Sequence, residues 1–319
     1  MERLRGVFLI LDNLLLENQL MTRHFLSLMD LTADELHKLV YRAIELKREF
    51  KAGAPCVAMK GKTLALIFDK SSTRTRVSFE VAASQLGGNS LFLSPSESQL
   101  GRGEPLEDTA KVLSGMVDVV VIRTGGHEKI ETFASHSSIP VINGLTDLFH
   151  PCQILADIQT YVEHRGEIRG KRVAWIGDGN NVCHSWMNAA RQLGFDLQLA
   201  IPPGYEPDKA LLESCQSQAS LSASPVEAVE GADLVVTDVW ASMGQESERT
   251  KRLKAFEGYQ VDPMLMSHAS ENALFMHCLP AYRGFEVSAE VIDGPQSVVW
   301  DEAHNRLHAQ KALLEYLLN

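Results

Sequence analysis

Short apolar runs alternate with segments of helical spacing along almost the whole chain, and this alternation limits the fold more than any single motif does. Thr63–Phe68 (TLALIF), Leu91–Leu93, Val117–Arg123 and Pro140–Asn143 come first; Lys171–Gly177, Phe195–Ile201, Ala232–Val239 and Ala273–Cys278 follow. Each has the length of a strand, and most are apolar at successive positions, as strands covered on both faces are. Between them lie segments that read as helices. Leu31–Phe50 opens with the capping box Thr32 and Glu35, and the stretch after Asp69 sets Phe79, Ala82, Ala83 and Leu86 at helical spacing. Further helices are expected at Leu106–Met116, Val182–Leu193, Pro207–Ser214 and Glu248–Glu257. Strands and helices that alternate in this way build parallel sheets with helices on both faces, so an α/β protein is expected. The long helix Cys152–His164 has no strand of its own, and the alternation restarts after it. Two domains are therefore expected, 21–149 and 150–319, each a mainly parallel sheet flanked by helices and linked to the other by long helices. At about 150 residues per domain, the chain's 319 residues are enough for both.

Charge narrows the function. Forty-one acidic residues against thirty basic ones leave a formal net charge of −11, which argues against nucleic acid or a membrane surface as a partner. A basic pocket on such a chain must be local. The five cysteines, an odd number without a CxxC pair, suit a reducing, cytoplasmic compartment better than a disulfide framework. No run reaches the roughly eighteen apolar residues of a membrane helix.

The local basic pocket is legible at Asp69–Phe79 (DKSSTRTRVSF), where the TLALIF strand ends and a helix begins. Ser71, Ser72, Thr73, Arg74, Thr75 and Arg76 crowd hydroxyls and guanidiniums onto the helix N-terminus. The first N–H groups of a helix have no partner within it, and the helix dipole adds partial positive charge there. Arginine contributes a planar fork that grips two phosphate oxygens at once. An N-cap with solvated arginines is the ordinary alternative, but the density of donors after a buried strand points to a phosphate site. It is not a Walker A loop: GKT at Gly61–Thr63 precedes the strand, and Cys56 occupies the upstream glycine position.

Other polar residues gather at strand ends, where ligands collect in open α/β folds. Arg123 ends the run VDVVVIR, and His150 and Gln153 open the long helix. Together they suit donors converging on a carbonyl oxygen that becomes an oxyanion when attacked. Gly177–Asn181 (GDGNN) follows a strand and opens a helix, inviting a dinucleotide reading. Val182 stands where the third glycine is needed, however, and the next strand ends in Ala200 and Ile201 with no acid, so an NAD role is disfavoured. Asp238, Ser242 and Met243 lie on a loop made pliable by Gly244, a setting that suits an ammonium group; a helix-capping Asp is the alternative. Cys278 closes the last strand, where most cysteines simply pack. The pairs His150/Cys152 and His277/Cys278 lack the spacing of a zinc site, so no metal is expected.

SSTRTR, HPCQ (His150–Gln153), DVWASMG (Asp238–Gly244) and HCLP (His277–Pro280) resemble, in order and spacing, the motifs of the aspartate/ornithine carbamoyltransferase family, from about Thr22 to the C-terminus. The first two are similar in both branches of that family, and the last two resemble the ornithine branch. The resemblance implies a carbamoyl phosphate-binding first domain and an ornithine-binding second domain, with the final helix, Ala303–Leu318, packing back on the first. It assigns Ser72, Thr73, Arg74 and Thr75 to the phosphate end, and Arg123, His150 and Thr75 to the carbamoyl oxygen. Gln153 and the Leu279 carbonyl fall to the carbamoyl nitrogen. Arg306, read as lying in the last helix's first turn, joins these donors. Gln99, in the polar loop Ser94–Glu104 that also holds Arg102, would reach a neighbouring subunit's site and make a homotrimer with shared sites. Asn181, Asp238, Ser242 and Met243 would hold ornithine, and Cys278 would sit with Asp238 beside the δ-amine.

The implied reaction is transfer of the carbamoyl group of carbamoyl phosphate to the δ-amine of ornithine, with no cofactor. Asp238, Cys278 and the departing phosphate are each able to take the amine's proton. Rival readings are transfer to putrescine or an N-acylated ornithine, a nucleotide-dependent dehydrogenase, and a non-catalytic phosphometabolite-binding protein. Family members begin near Met21. Residues 1–20, in which Arg3, Arg5 and the run Val7–Leu11 faintly imitate a signal peptide before Asp12 interrupts, are therefore expected to be a non-core extension.

Overall fold

The computed structural model of the protein describes residues 22–94, 103–241 and 248–319. The 1–20 segment, Gln99 and Arg102, and Ser242, Met243 and Gly244 lie outside the described residues. In the first half, strands β1 (Thr63–Phe68), β2 (Asn89–Leu93), β3 (Val119–Arg123) and β4 (Val141–Leu145) alternate with helices α1 (Ala33–Lys51), α2 (Thr73–Gln85), α3 (Leu106–Ser114) and α4 (His127–Ser135). Helix α5 (Pro151–Arg165) leads into the second half. There β5 (Arg172–Ile176), β6 (Asp196–Ala200), β7 (Ala219–Leu221), β8 (Leu234–Thr237) and β9 (Leu274–His277) alternate with α6 (Asn181–Leu193), α7 (Lys209–Ser214), α8 (Pro225–Val229), α9 (Arg249–Ala255) and α10 (Pro263–Met266). Helices α11 (Ala289–Ile292) and α12 (Val299–Leu318) close the chain.

Every described strand pairing is parallel, in the orders β2-β1-β3-β4 and β7-β6-β5-β8-β9. The predicted class, two parallel sheets each flanked by helices, is therefore what the chain forms. Burial explains the apolar runs: all of β3, β8 and β9 is buried. Strand residues divide by parity. Leu64, Leu66, Val119, Val121, Val173 and Trp175 share a core that continues through α5 and α12, whereas Ala65, Ile67, Val120 and Ile122 face a separate cluster under α4. At about 1.5–3 kcal/mol for each fully buried large aliphatic side chain, that shared core holds the two sheets in fixed relation.

Several details differ from the sequence reading. The short edge strand β7 and helices α4, α8, α10 and α11 fall where no element was expected; β7 is exposed at Ser220 and Leu221 and so lacks an apolar signature. The last helix begins at Val299, so Arg306 lies two turns inside it and not in its first turn. That helix packs along α1, α2 and α5.

In each sheet the chain reverses its winding direction between two central neighbours, β1/β3 in the first and β5/β8 in the second. In open α/β sheets such a switch point leaves a crevice beyond the carboxyl ends of the strands. Here both crevices open onto one cleft.

Candidate active site

The cleft holds about 520 Å³ and is lined by Ser72, Arg74, Thr75, Arg123, His150, Asn180, Asn181, Asp238, Cys278, Leu279 and Arg306, among others. Sequence neighbours at its two ends come from strand ends that the register aligns: Phe68 pairs with Arg123 across β1 and β3, and Ile176 with Thr237 across β5 and β8. Residues more than two hundred positions apart, such as Thr75 and Arg306, thereby meet.

Ser72 caps α2, its hydroxyl accepting from the Thr75 N–H at 3.2 Å. Arg74 is exposed to the cleft and donates to the Leu279 carbonyl at 2.6 Å. Leu279 reaches that position in a left-handed backbone conformation, φ 57°. Arg306 is fully buried, donating to the Gln153 side-chain oxygen at 2.5 Å and to the Thr75 hydroxyl at 3.3 Å. These partners are all neutral oxygens. Burial, with Arg306 and Arg74 close by, lowers the Arg123 pKa to about 10. Its Nε, the Nε of Arg306 and the Nδ1 of His150 are buried without a partner among the described residues. Three cations that repel one another, with donors left open, form a site that an anion completes.

Burial and those same guanidiniums hold His150 well below the ordinary imidazole range. The ring is therefore neutral at physiological pH and offers one N–H, while its backbone N–H is tied to the Ser185 hydroxyl at 2.8 Å. Gln153 lies behind the wall. Its amide nitrogen donates to Asp157 at 2.8 Å and Glu302 at 2.9 Å, and its oxygen faces Arg306.

The opposite end of the cleft is built for a cation. Asp238 follows β8 and receives the Asn180 amide at 2.8 Å and the Cys278 thiol at 3.1 Å. Burial and the Asp238 charge push the Cys278 thiol well above its usual range, so it is a neutral donor. Asn181 donates to the Thr146 carbonyl at 2.7 Å, across the domain junction. The sequence reading missed Asn180, which both caps α6, accepting from Val182 and Cys183, and steadies Asp238. Its place one residue before a helix in GDGNN is the signal that could have found it. It also missed the buried pair Asp178–Arg252 at 2.7 Å, which anchors α9 to the turn after β5. Arg252 donates there to the Trp240 carbonyl as well, at 2.8 Å.

Two further chemistries can be weighed on this geometry. A side chain on Gly179 would meet the backbone of Tyr205–Pro207 at 2.4–2.6 Å, so that glycine serves close chain packing and not the approach of a pyrophosphate. Asp238, His277 and Cys278 do bring ligand-type atoms within 4.8 Å of one another, closer than their spacing suggested. Both His277 ring nitrogens are engaged, however, Nδ1 accepting from the Leu279 N–H at 2.9 Å and Nε2 paired with Glu286 at 3.2 Å, so the donor set fits a metal poorly.

Comparison with known proteins agrees with this architecture. A family model described as the carbamoyl-P binding domain of aspartate/ornithine carbamoyltransferase matches residues 23–163, and one described as the Asp/Orn binding domain matches 169–317. The ornithine carbamoyltransferase of Hydrogenovibrio crunogenus is 61% identical over 93% of this chain and 98% of its own, and that of Nitrosococcus oceani 63% identical over 92% and 97%. Among solved structures, the ornithine carbamoyltransferase of Burkholderia thailandensis superimposes with a TM-score of 0.87 at 53% identity, covering 93% of this chain and 98% of that one. The enzyme of Pyrococcus furiosus does so with a TM-score of 0.88 at 50% identity, covering 92% and 96%.

Proposed function

This chain belongs to the aspartate/ornithine carbamoyltransferase family, and from that premise we propose how its cleft performs the reaction. The enzyme transfers the carbamoyl group from carbamoyl phosphate to the δ-amine of L-ornithine, giving L-citrulline and phosphate, a step of arginine metabolism. The observation that carries the assignment of the site is the set of guanidiniums of Arg74, Arg123 and Arg306: the partners of Arg74 and Arg306 are neutral oxygens, and Arg123 and Arg306 keep buried donors open.

Ser72, Thr73, Arg74 and Thr75 at the start of α2 hold the phosphate of carbamoyl phosphate. Arg123, His150 and Thr75 take the carbamoyl oxygen, with Arg306 behind them. Attack by the amine turns that carbonyl into an oxyanion, and fixed donors stabilise the developing charge more than the ground state. Because His150 is neutral, its part is to donate and not to accept a proton. The Gln153 oxygen and the carbonyl of Leu279 face the carbamoyl nitrogen, each with a second lone pair beside the one its arginine occupies.

Ornithine lies on the other side, its α end on Asn181 and on Ser242 and Met243 of the segment after Ala241, and its amine between Asp238 and Cys278. An aliphatic amine of pKa about 10.4 is almost wholly protonated at neutral pH and must lose a proton to attack. Cys278 is already protonated, so the carboxylate of Asp238 or the departing phosphate is the acceptor. The amine nitrogen bonds to the carbamoyl carbon, the bond from carbon to the phosphate oxygen breaks, and phosphate leaves with the electron pair.

The domain division at 21–149 and 150–319, with carbamoyl phosphate on the first part and ornithine on the second, belongs to the same reading. So do a homotrimer in which Gln99 completes a neighbour's site and a cytoplasmic location. Among the described residues, no helix is long and apolar enough to cross a membrane. Colorimetric citrulline formation with ornithine, putrescine, aspartate and N-acetylornithine side by side tests the substrate. Product with ornithine alone is expected, and turnover only with another acceptor overturns it.

A further inference from the structure

Two carboxyl groups lie together behind the carbamoyl phosphate end of the cleft, and the mechanism above gives neither a role. Asp157 is on α5 and Glu302 in the first turn of α12; each is 1% exposed, and their side chains hydrogen-bond each other. The Gln153 amide nitrogen donates to one oxygen of each, at 2.8 and 2.9 Å. The second oxygen of Glu302 accepts the backbone N–H of His277 at 3.0 Å.

We propose that Asp157 and Glu302 form a positioning pair for carbamoyl phosphate binding, acting through the amide of Gln153 and the backbone at the end of β9. This inference rests on the functional reading above. With its nitrogen lodged between two carboxyl oxygens, the Gln153 amide has one orientation: a flip would set its oxygen against theirs. Its oxygen must then face Arg306, whose other arm reaches Thr75. At β9, Glu302 fixes His277, and two residues on the Leu279 carbonyl receives Arg74. Two of the three cleft guanidiniums are thus held in place from Glu302.

Two buried carboxyls in contact cannot both carry charge, so the pair keeps a proton between them. Burial raises both, Asp157 to about 7 and Glu302 well above the carboxylate range; the Asp157 charge adds to the rise of Glu302, whereas hydrogen bonds with Gln153 and Glu302 hold Asp157 back. Arg306 opposes the rise, and the Asp238 charge adds to it for Asp157. Cys278 faces the pair as a neutral thiol, and the His277 ring is turned to Glu286. Both shifts are upward, so the proton is retained at lower pH and given up as pH rises. The pair then repels itself and loosens its hold on Gln153.

The test uses the full-length enzyme, with KM for each substrate measured by citrulline formation across the neutral and alkaline range. Glu302→Ala is expected to raise KM for carbamoyl phosphate about tenfold or more, the size of a lost hydrogen bond to a charged group, and to move KM for ornithine far less. Asp157→Asn supplies a permanent N–H where the shared proton sits and keeps an oxygen for the Gln153 amide, so it should hold carbamoyl phosphate KM within about threefold of wild type. It should also abolish the wild type's alkaline rise in that KM, and it serves if the alanine variant fails to fold. An alkaline rise that persists unchanged in Asp157→Asn, or a Glu302→Ala enzyme that affects the two substrates equally, overturns the proposal. A wild type that makes no citrulline would instead overturn the functional reading.

Discussion

The Arg74 guanidinium donates to the Leu279 carbonyl at 2.6 Å, tying the start of α2 in the first sheet's crevice to the end of β9 in the second. The residue proposed to meet the phosphate is thereby also a strut between the two halves of the cleft. Arg74→Ala is expected to weaken carbamoyl phosphate binding by about a hundredfold or more, at about 1.5–3 kcal/mol for each charge-assisted bond lost. Isothermal calorimetry with carbamoyl phosphate checks this, and an unchanged affinity would remove Arg74 from the site.

Asp238 accepts from Asn180 and Cys278 at the end of the cleft proposed to hold ornithine. Asp238→Asn should leave carbamoyl phosphate affinity within about twofold and lower kcat/KM for ornithine by about a hundredfold, the loss of one charged hydrogen-bonding partner. Equal losses for both substrates would show that the two ends of the cleft are not separable in this way.

His150 is kept neutral by burial and by Arg306, Arg123 and Arg74. His150→Ala is expected to reduce kcat by about 10²–10³, as for other oxyanion donors, with little change in ornithine KM. NMR of the wild type should show the His150 ring neutral throughout the range in which an ordinary imidazole titrates. A protonation midpoint near the ordinary value would contradict the proposed role.

Stability should fall on the acid side for a reason unconnected with catalysis. His308, 6% exposed on α12 beside Lys311 and Lys47, has its pKa lowered to about 4, chiefly by burial. The unfolded ring binds its proton near the ordinary 6.5, so the neutral form's contribution is present above that value and is lost as pH drops towards about 4. The loss amounts to at most about 3 kcal/mol. Thermal melts should show a smaller acid decline for His308→Gln, and an identical decline would assign it elsewhere.

The proposed homotrimer with shared sites predicts complementation. Mixing inactive Gln99→Ala and Arg74→Ala subunits should restore part of the citrulline activity, because some sites then draw both residues from intact copies. No recovery after reassembly, or sedimentation of a fully active monomer, would exclude site sharing.

Function carried by residues close together in the chain is legible from the sequence alone. SSTRTR reads as an oxyanion site because the strand end, the cap and the helix N-terminus lie within one local stretch, and local backbone rules are enough to place them. The alternation of apolar runs similarly settles the class of the fold, since a strand buried on both faces must be apolar at successive positions. Strand order is not legible that way. It depends on which buried strands pair, and it is what aligns Phe68 with Arg123 and Ile176 with Thr237 so that both switch points face one cleft. Sequence reasoning passes over Asn180 for Asn181 and gives no sign of Asp157 or Glu302. What makes these residues matter is a partner far away in the chain: Asp238 for Asn180, and Gln153 and His277 for Glu302, which thereby comes to lie beside Asp157. The sequence thus determined the elements, their class and the chemistry of each short motif. The tertiary structure alone decided which charges share a low-dielectric space, and so which of them are paired, neutral or left open for a substrate.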